Sequence, residues 1–420
     1  MNGWRDIKLK EVSEYVTVGF VGSMADQYVE AGVPFLRSLN IHPFRLNYND
    51  LKYIPKSFHD AIKKSKLRPG DVAIVRTGYP GTACVIPADL PDANCSDLVI
   101  LRPGPDLNPH YIAAVFNSSF GQSLVGGNLV GAAQQHFNVT VAKELKLRLP
   151  PRAEQDKIAA VLVGLNDLIA NNQRRISLLE SMAEEIYREW FVRMRFPQYA
   201  TLKGDELMPP GWSRQPIGEL VVLIKRGISP EYADQSEHQV INQKCIRGGR
   251  VSMSEARPHM SVVPDEKLLR FGDVLINSTG VGTLGRAAVF DIEADGITCD
   301  SHVTILRPKD VGLLGEFLAY TIQLLQPYFE SMASGSTGQA ELGRELIGRT
   351  KVLVPTLDLL KHFSDTAAPI RRQRRLLLEQ NEKLSATRDQ LLPRLISGKL
   401  RVDALDIQFP PSMRPPSEAA

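Results

Sequence analysis

The sequence is poor in the features that announce chemistry or an unusual environment. Only four cysteines occur in 420 residues (Cys84, Cys95, Cys245 and Cys299), far apart and with no CxxC pair. Packed apolar thiols are expected from them, rather than a disulfide framework or a thiolate cage. The eight histidines show no HExxH or other metal spacing. No Walker loop and no GxSxG elbow is present. No apolar run approaches the ~18 residues of a membrane span, and no charged-then-apolar leader opens the chain. A soluble, cytoplasmic protein is expected. Neither sign of charge dominates: 50 Lys and Arg stand against 47 Asp and Glu, for a net charge of +3. That balance permits nucleic-acid binding through a local patch without demanding it. What is present is length and apolar content. With 43% hydrophobic residues, 420 positions supply cores for two or more domains.

The strongest pattern runs from Glu154 to Phe191. Apolar residues fall at Ile158, Leu162, Leu165, Ile169, Ile176, Leu179, Ala183, Ile186 and Trp190, and Asn172 fills the one gap. The steps alternate 4-3-4-3, the period of a coiled-coil seam. Pro150 and Pro151 stand at its start, where a missing N–H costs least. At ~1.5 Å per residue such a helix spans roughly 57 Å, and a helix of this kind needs a partner.

The partner comes from an internal repeat. Leu67-Arg-Pro-Gly70-Asp71-Val-Ala-Ile returns as Leu269-Arg-Phe-Gly272-Asp273-Val-Leu-Ile. Cys95 followed by Val99-Ile-Leu-Arg102-Pro103 returns as Cys299 followed by Val303-Thr-Ile-Leu-Arg307-Pro308, and Leu147-Arg-Leu-Pro150 returns as Val352-Leu-Val-Pro355, all within offsets of 202 to 208 residues. After Pro355 a second stripe appears, with Phe363, Ile370, Leu377, Leu384, Leu391 and Leu395 on one face and Arg374, Asn381 and Arg388 between them. The expected plan is α+β: mixed α/β globules over 1–150 and 211–355, helical spacers over 151–195 and 356–400, a linker over 196–210, and a disordered tail over 401–420. Gly164 and Pro369 share a repeat position, so matching kinks are expected, and Pro393 should disturb the last turn. Asn172 is expected to mark the register, facing a polar residue such as Asn381.

Three motifs resemble catalytic signatures and are read as structure. Gly280-Val-Gly282-Thr-Leu-Gly285 matches a dinucleotide or S-adenosylmethionine loop, but Arg286-Ala-Ala-Val-Phe after it is strand-like, so a hairpin turn is expected. Asn108-Pro-His-Tyr111 is similar to the Asn-Pro-Pro-Tyr box of amino-methyltransferases, yet no cofactor loop precedes it, and a helix start is expected. Pro264-Asp265 lacks the later acidic-x-Lys partner of a nuclease site and reads as a turn. His136 and His302 are placed in loops or core. The remaining activity class is binding. The first globule carries 16 Lys and Arg against 13 Asp and Glu, so any basic surface must be local, as at Lys63-Lys64-Ser-Lys66-Leu-Arg68.

The chain resembles the DNA-specificity (S) subunits of type I restriction–modification enzymes. The resemblance rests on the duplicated Gly70-Asp71 and Gly272-Asp273 turns, on Leu149-Pro-Pro-x-x-Glu154-Gln155-x-x-Ile158, and on Gln390-Leu-Leu-Pro393-Arg-Leu-Ile-Ser397-Gly398-Lys-Leu. It implies two pseudo-symmetric target-recognition domains, each reading half of a bipartite double-stranded DNA site, and two long helices packed as an antiparallel coiled coil. It implies a chain without catalysis of its own, joined by two methyltransferase subunits and two restriction (motor-nuclease) subunits. S-adenosylmethionine, ATP and Mg²⁺ would belong to those partners. The second copy has Leu359-Leu360 where the first has Glu154-Gln155, so its docking contacts are open. The rival readings are a protein-interaction scaffold and a self-contained DNA methyltransferase working through Asn108 to Tyr111.

Arg, Asn and Gln read base edges by paired hydrogen bonds, while phosphate contacts position the protein. The candidates lie on polar loops beside the expected strands. In the first domain they are Arg37, Asn40, Arg76, Thr77, Gln134 and Gln135. In the second they are Asn242, Gln243, Arg247, Asn277, Ser278, Thr279, Arg286 and Gln339. Each could instead close its own domain's loops, and Gln134 and Gln339 share a repeat position that favours a structural role.

Overall fold

The structure is a computed structural model that describes residues 3–129, 136–197, 208–333 and 340–413. It falls into two compact units, Met1–Gln173 with Glu379–Ala420, and Arg174–Leu378. The expected domain limits put both helices outside the globules. Instead each helix contributes one part to each unit, because its apolar residues belong to the same cores as the sheets.

In the first unit a four-stranded antiparallel sheet runs in the order Ser13–Val18, Leu98–Pro103, Val72–Val75, Ala83–Val85. A second sheet has the order Lys52–Ile54, Val33–Leu36, Ala93–Cys95, Lys66–Leu67, with Ala93–Cys95 parallel to Val33–Leu36. The ribbon of Arg5–Lys8 and Lys146–Leu149 ties the start of the domain to its end. The second unit repeats the plan. Val221–Arg226, Val303–Pro308, Val274–Asn277 and Ala287–Val289 form the first sheet, and Arg257–Pro258, Gln239–Ile241 and Ile297–Cys299 the second. Ser213–Pro216 pairs with Lys351–Val354. All four cysteines are buried and unpaired.

The repeated Gly-Asp turns have a physical basis. Gly70 and Gly272 take φ of +87° and +89°, a left-handed conformation that a side chain would strain. The aspartates that follow are buried. Asp71 accepts the backbone N–H of Arg68 at 2.9 Å and both Nε and an Nη of Arg102 at 2.7 Å. Asp273 accepts from Arg270 N at 2.8 Å and from Arg307 Nε and Nη2 at 2.9 and 2.8 Å. One fork-on-fork ion pair thus closes the turn onto the neighbouring strand in each domain.

The helix Arg152–Tyr187 starts where the double proline places it. Gln155 is fully buried there. Its Oε1 accepts from Asn108 N at 2.9 Å, and its Nε2 donates to the carbonyls of Asp106 (2.9 Å) and Pro150 (3.0 Å). Glu154 accepts from the Trp4 indole N–H at 3.1 Å. The Glu-Gln pair therefore anchors the helix to its domain. In the second copy, helix Leu357–Ile396 begins at the matching place and buries Leu359 and Leu360 instead.

Every position of the expected stripe is buried or half-buried. Within the first unit Ile158, Ala159 and Leu162 share a core with Leu392, Leu395 and Ile396, which makes the pairing antiparallel. Asn166 Oδ1 accepts from Arg388 at 3.1 Å in the same register. Asn172 faces Asn381: its Nδ2 donates to Asn381 Oδ1 at 3.0 Å, and Asn381 Nδ2 donates to Ile169 O at 3.3 Å. Within the second unit Tyr187 and Phe191 pack on Phe363, and Arg374 lies 3.7 Å from Glu180. Replacing Asn381 alone by Leu should strand the buried Asn172 amide and cost about 1–3 kcal/mol in urea unfolding. Leu at both positions should recover most of that loss.

Single helices run through Gly164, Pro369 and Pro393, and the two prolines, which have no N–H to donate, sit on the exposed face. One expectation changes. The segment 401–413, expected to be disordered, packs on the first unit. Val402 is buried, Ile407 and Met413 join the core, and Lys157 Nζ donates to the carbonyls of Asp403 and Leu405 at 2.8 Å. Its prolines limit hydrogen bonding, not packing.

Candidate nucleic-acid interface

Three loops meet at one end of the first sheet in each domain: the turn before a short hairpin, the segment leaving one central strand, and the residues entering the other. In the first domain the hairpin is Ile41–His42 with Arg45–Leu46, and in the second it is Ile246–Arg247 with Arg250–Val251. The chain after the helical layer is laid onto the same corner. Phe137 N donates to Arg76 O at 3.1 Å, and Leu342 N to Ser278 O at 2.8 Å.

At this corner of the second domain the structure brings Gln243, Asn277 and Thr279 together. Gln243 Nε2 donates to Thr279 Oγ1, Thr279 Oγ1 lies 2.9 Å from His302 Nδ1, and Asn277 Nδ2 donates to Gln243 O at 3.2 Å. His302 N donates to Asp300 Oδ1 at 2.9 Å. In the first domain Arg76 and Thr77 are brought together on Asp97, with Arg76 Nη1 to Oδ1 at 2.7 Å and Thr77 Oγ1 to Oδ2 at 2.9 Å. Asp97 and His302 are functional candidates that sequence reasoning missed. The available signal was their shared place, one residue before the strands Leu98–Pro103 and Val303–Pro308.

The structure ties several of the candidate base readers into their own loops. Asn40, Asn277 and Ser278 are fully buried. Asn40 holds its own loop through Arg37 N, Asn47 O and Asn49 O, and Ser278 bonds to Thr304 at 2.6 Å. Asn242 caps a turn, accepting from Lys244 N at 2.8 Å and donating to Glu255 O at 2.7 Å. Arg76 is engaged by Asp97 and by Phe137 O. Polar side chains near strand ends compete for loop backbone, which residue type alone does not reveal. Gln134, Gln135 and Gln339 lie outside the described residues. The side chains of Arg247 and Arg286 show no hydrogen bond or ion pair among the described residues. They line a cleft of about 590 Å³ in the second unit, with Arg371, Arg374, Glu180 and Glu184. Of the basic cluster, Lys63, Lys64 and Arg68 are exposed, and Lys66 pairs with Asp60 at 2.7 Å.

Arg37 pairs with Asp50 at 2.8 Å, and Lys52 with the same carboxylate at 2.9 Å. Lys52 and then Arg37 hold the Asp50 carboxyl down to about 2, from 3.8. Because the folded value lies below the unfolded one, this contact supports the loop above pH ~4 and is lost as pH falls toward 2. A carboxyl NMR titration should place the Asp50 midpoint near 2, and Lys52→Ala should move it up toward the ordinary carboxylate value.

The catalytic look-alikes are occupied otherwise. Asn108 caps helix Pro109–Asn117, accepting from His110 N and Tyr111 N, and its Nδ2 donates to Asp156. The Gly280–Gly285 loop joins the antiparallel strands Val274–Asn277 and Ala287–Val289, as a hairpin turn.

No family model matches the sequence. The chain is 24% identical over 287 residues to the type I restriction enzyme MjaIX specificity subunit of Methanocaldococcus jannaschii, covering 66% of this chain and 65%, under two thirds, of that one. It is 22% identical over 371 residues to the type I restriction enzyme StySPI specificity subunit of Salmonella potsdam, covering 84% of this chain and 79% of the other, and so both copies of the repeat. The fold is that of the type I restriction–modification S subunit of M. genitalium, with TM-score 0.62 and 15% identity over 94% and 96% of the two chains. The chain is thus similar in sequence to specificity subunits of type I restriction enzymes. The buried Asp71–Arg102 and Asp273–Arg307 forks and the Gln155 anchor supply the physical content of the motifs by which it resembles that family.

Proposed function

We propose that the chain is a specificity subunit that binds double-stranded DNA and reads a bipartite target, one half with each domain. The observation that carries this reading is a loop corner built twice on one framework but furnished with different hydrogen-bonding groups: Arg76, Thr77 and Asp97 in one copy, and Gln243, Thr279 and His302 in the other. A duplicated frame with divergent polar tips suits two different base sequences. The chain acts within a type I restriction–modification complex and is not itself the catalyst. Two methyltransferase subunits and two motor-nuclease subunits would join it, carrying S-adenosylmethionine, ATP and Mg²⁺. The paired helices would fix the number of base pairs between the half-sites and offer faces on which those partners dock. No described helix is long and apolar enough to cross a membrane, and a cytoplasmic place is proposed.

Duplex binding by the complex of chain and methyltransferase subunit tests the reading. Affinity should fall by roughly tenfold or more per few phosphate contacts between ~50 and ~200 mM salt. Binding indifferent to salt, or displaced by a protein ligand and not by duplex, would favour the scaffold reading instead. Methyl transfer by the chain alone would favour the self-contained enzyme.

A further inference from the structure

Asp97 and His302 occupy one position of the repeat, 205 residues apart, and so do Thr77 and Thr279, 202 apart. Each pair makes the same contact, the threonine hydroxyl to the residue that opens the next strand, at 2.9 Å in both domains. The frame is constant and the tip changes from a carboxylate to an imidazole. Resting on the DNA-reading function above, we propose that Asp97 and His302 are the specificity-determining residues at matching positions of the two half-sites, with opposite hydrogen-bonding polarity.

The polarity follows from the contacts. Asp97 takes a donor from Arg76 on Oδ1 and another from Thr77 on Oδ2. Its side chain is still 44% exposed. Its remaining lone pairs accept only, which suits the exocyclic amino group of cytosine or adenine. Asp97 also holds φ of +53°, a conformation uncommon outside glycine that fixes where the carboxylate stands.

In the second domain Gln243 Nε2 donates to the Thr279 oxygen. The Thr279 proton is then free to go to His302 Nδ1 at 2.9 Å. A neutral imidazole accepting at Nδ1 carries its proton on Nε2. His302 is exposed, so that N–H is a donor offered to solvent, which suits N7 or O6 of guanine or another groove acceptor. Gln243 and Thr279 act here as positioning residues that set the tautomer.

The experiment is methylome sequencing of hosts expressing the full chain with its cognate methyltransferase subunit. The wild-type chain is compared with Asp97→Asn, His302→Phe and Thr279→Val. Asp97→Asn should relax one base of the first half-site, with discrimination falling about tenfold, and leave the second half-site unchanged. His302→Phe should do the reverse. Thr279→Val should relax the same base as His302→Phe, because it frees the tautomer. The untouched half-site is the internal measure of folding. Unchanged motifs in all three variants, or equal loss at both half-sites, would overturn the assignment while leaving the bipartite reading intact. A wild-type motif that is not bipartite would overturn both.

Discussion

Asp273→Ala should unfold the second domain well before the first. The substitution leaves the Arg307 guanidinium buried with Leu268 O, at 2.8 Å, as its remaining partner. Removing one member of such a pair costs about 3–5 kcal/mol, a large part of a domain stability of about 5–15 kcal/mol. In urea the second domain's transition should move down by at least about 1 M, given slopes of about 1–3 kcal/mol/M. Asp71→Ala should do the same to the first domain, where Arg102 takes the place of Arg307. Asp273→Asn, which keeps an acceptor without the charge, should fall between. Removing Arg307 together with Asp273 should cost less than the sum of the single losses, since no orphaned charge remains. An unshifted transition would mean that the turn is held by its backbone bonds alone.

Adding one heptad to each long helix, at facing positions, should lengthen the preferred spacer by about three base pairs. Seven residues preserve the 4-3 alternation that a four-residue insertion would interrupt. They add about 10.5 Å at ~1.5 Å per residue, against about 3.4 Å per base pair. Facing positions follow from the register, in which Asn166 meets Arg388 and Asn172 meets Asn381. Both half-site sequences should stay as they are. An unchanged optimum in a library of spacer lengths would remove the helices from the role of ruler.

What could be read from the sequence was what repeats along it. The 3.5 period located the first helix and the offset repeat located its partner. A single polar gap at Asn172 pointed to Asn381, which lies 3.0 Å away. What could not be read was which polar residues face inward. Arg102 and Arg307 are visible as repeated letters, but their pairing with Asp71 and Asp273 depends on strand register. Asn40, Asn277 and Ser278 carry the right groups for base edges and spend them on their own loops. Arg76 was expected to read the first half-site. It holds Asp97, so Arg76→Ala should act there by releasing that carboxylate. The proline-rich tail gave no periodic signal, yet Val402 and Met413 enter the first core.

Selection of duplexes from a random library by the full chain with its methyltransferase subunit tests the central claim most directly. The account predicts two conserved blocks of bases separated by a gap of constant length and free sequence, with binding that weakens steeply as salt rises. A single uninterrupted block, or no conserved bases at all, would contradict it.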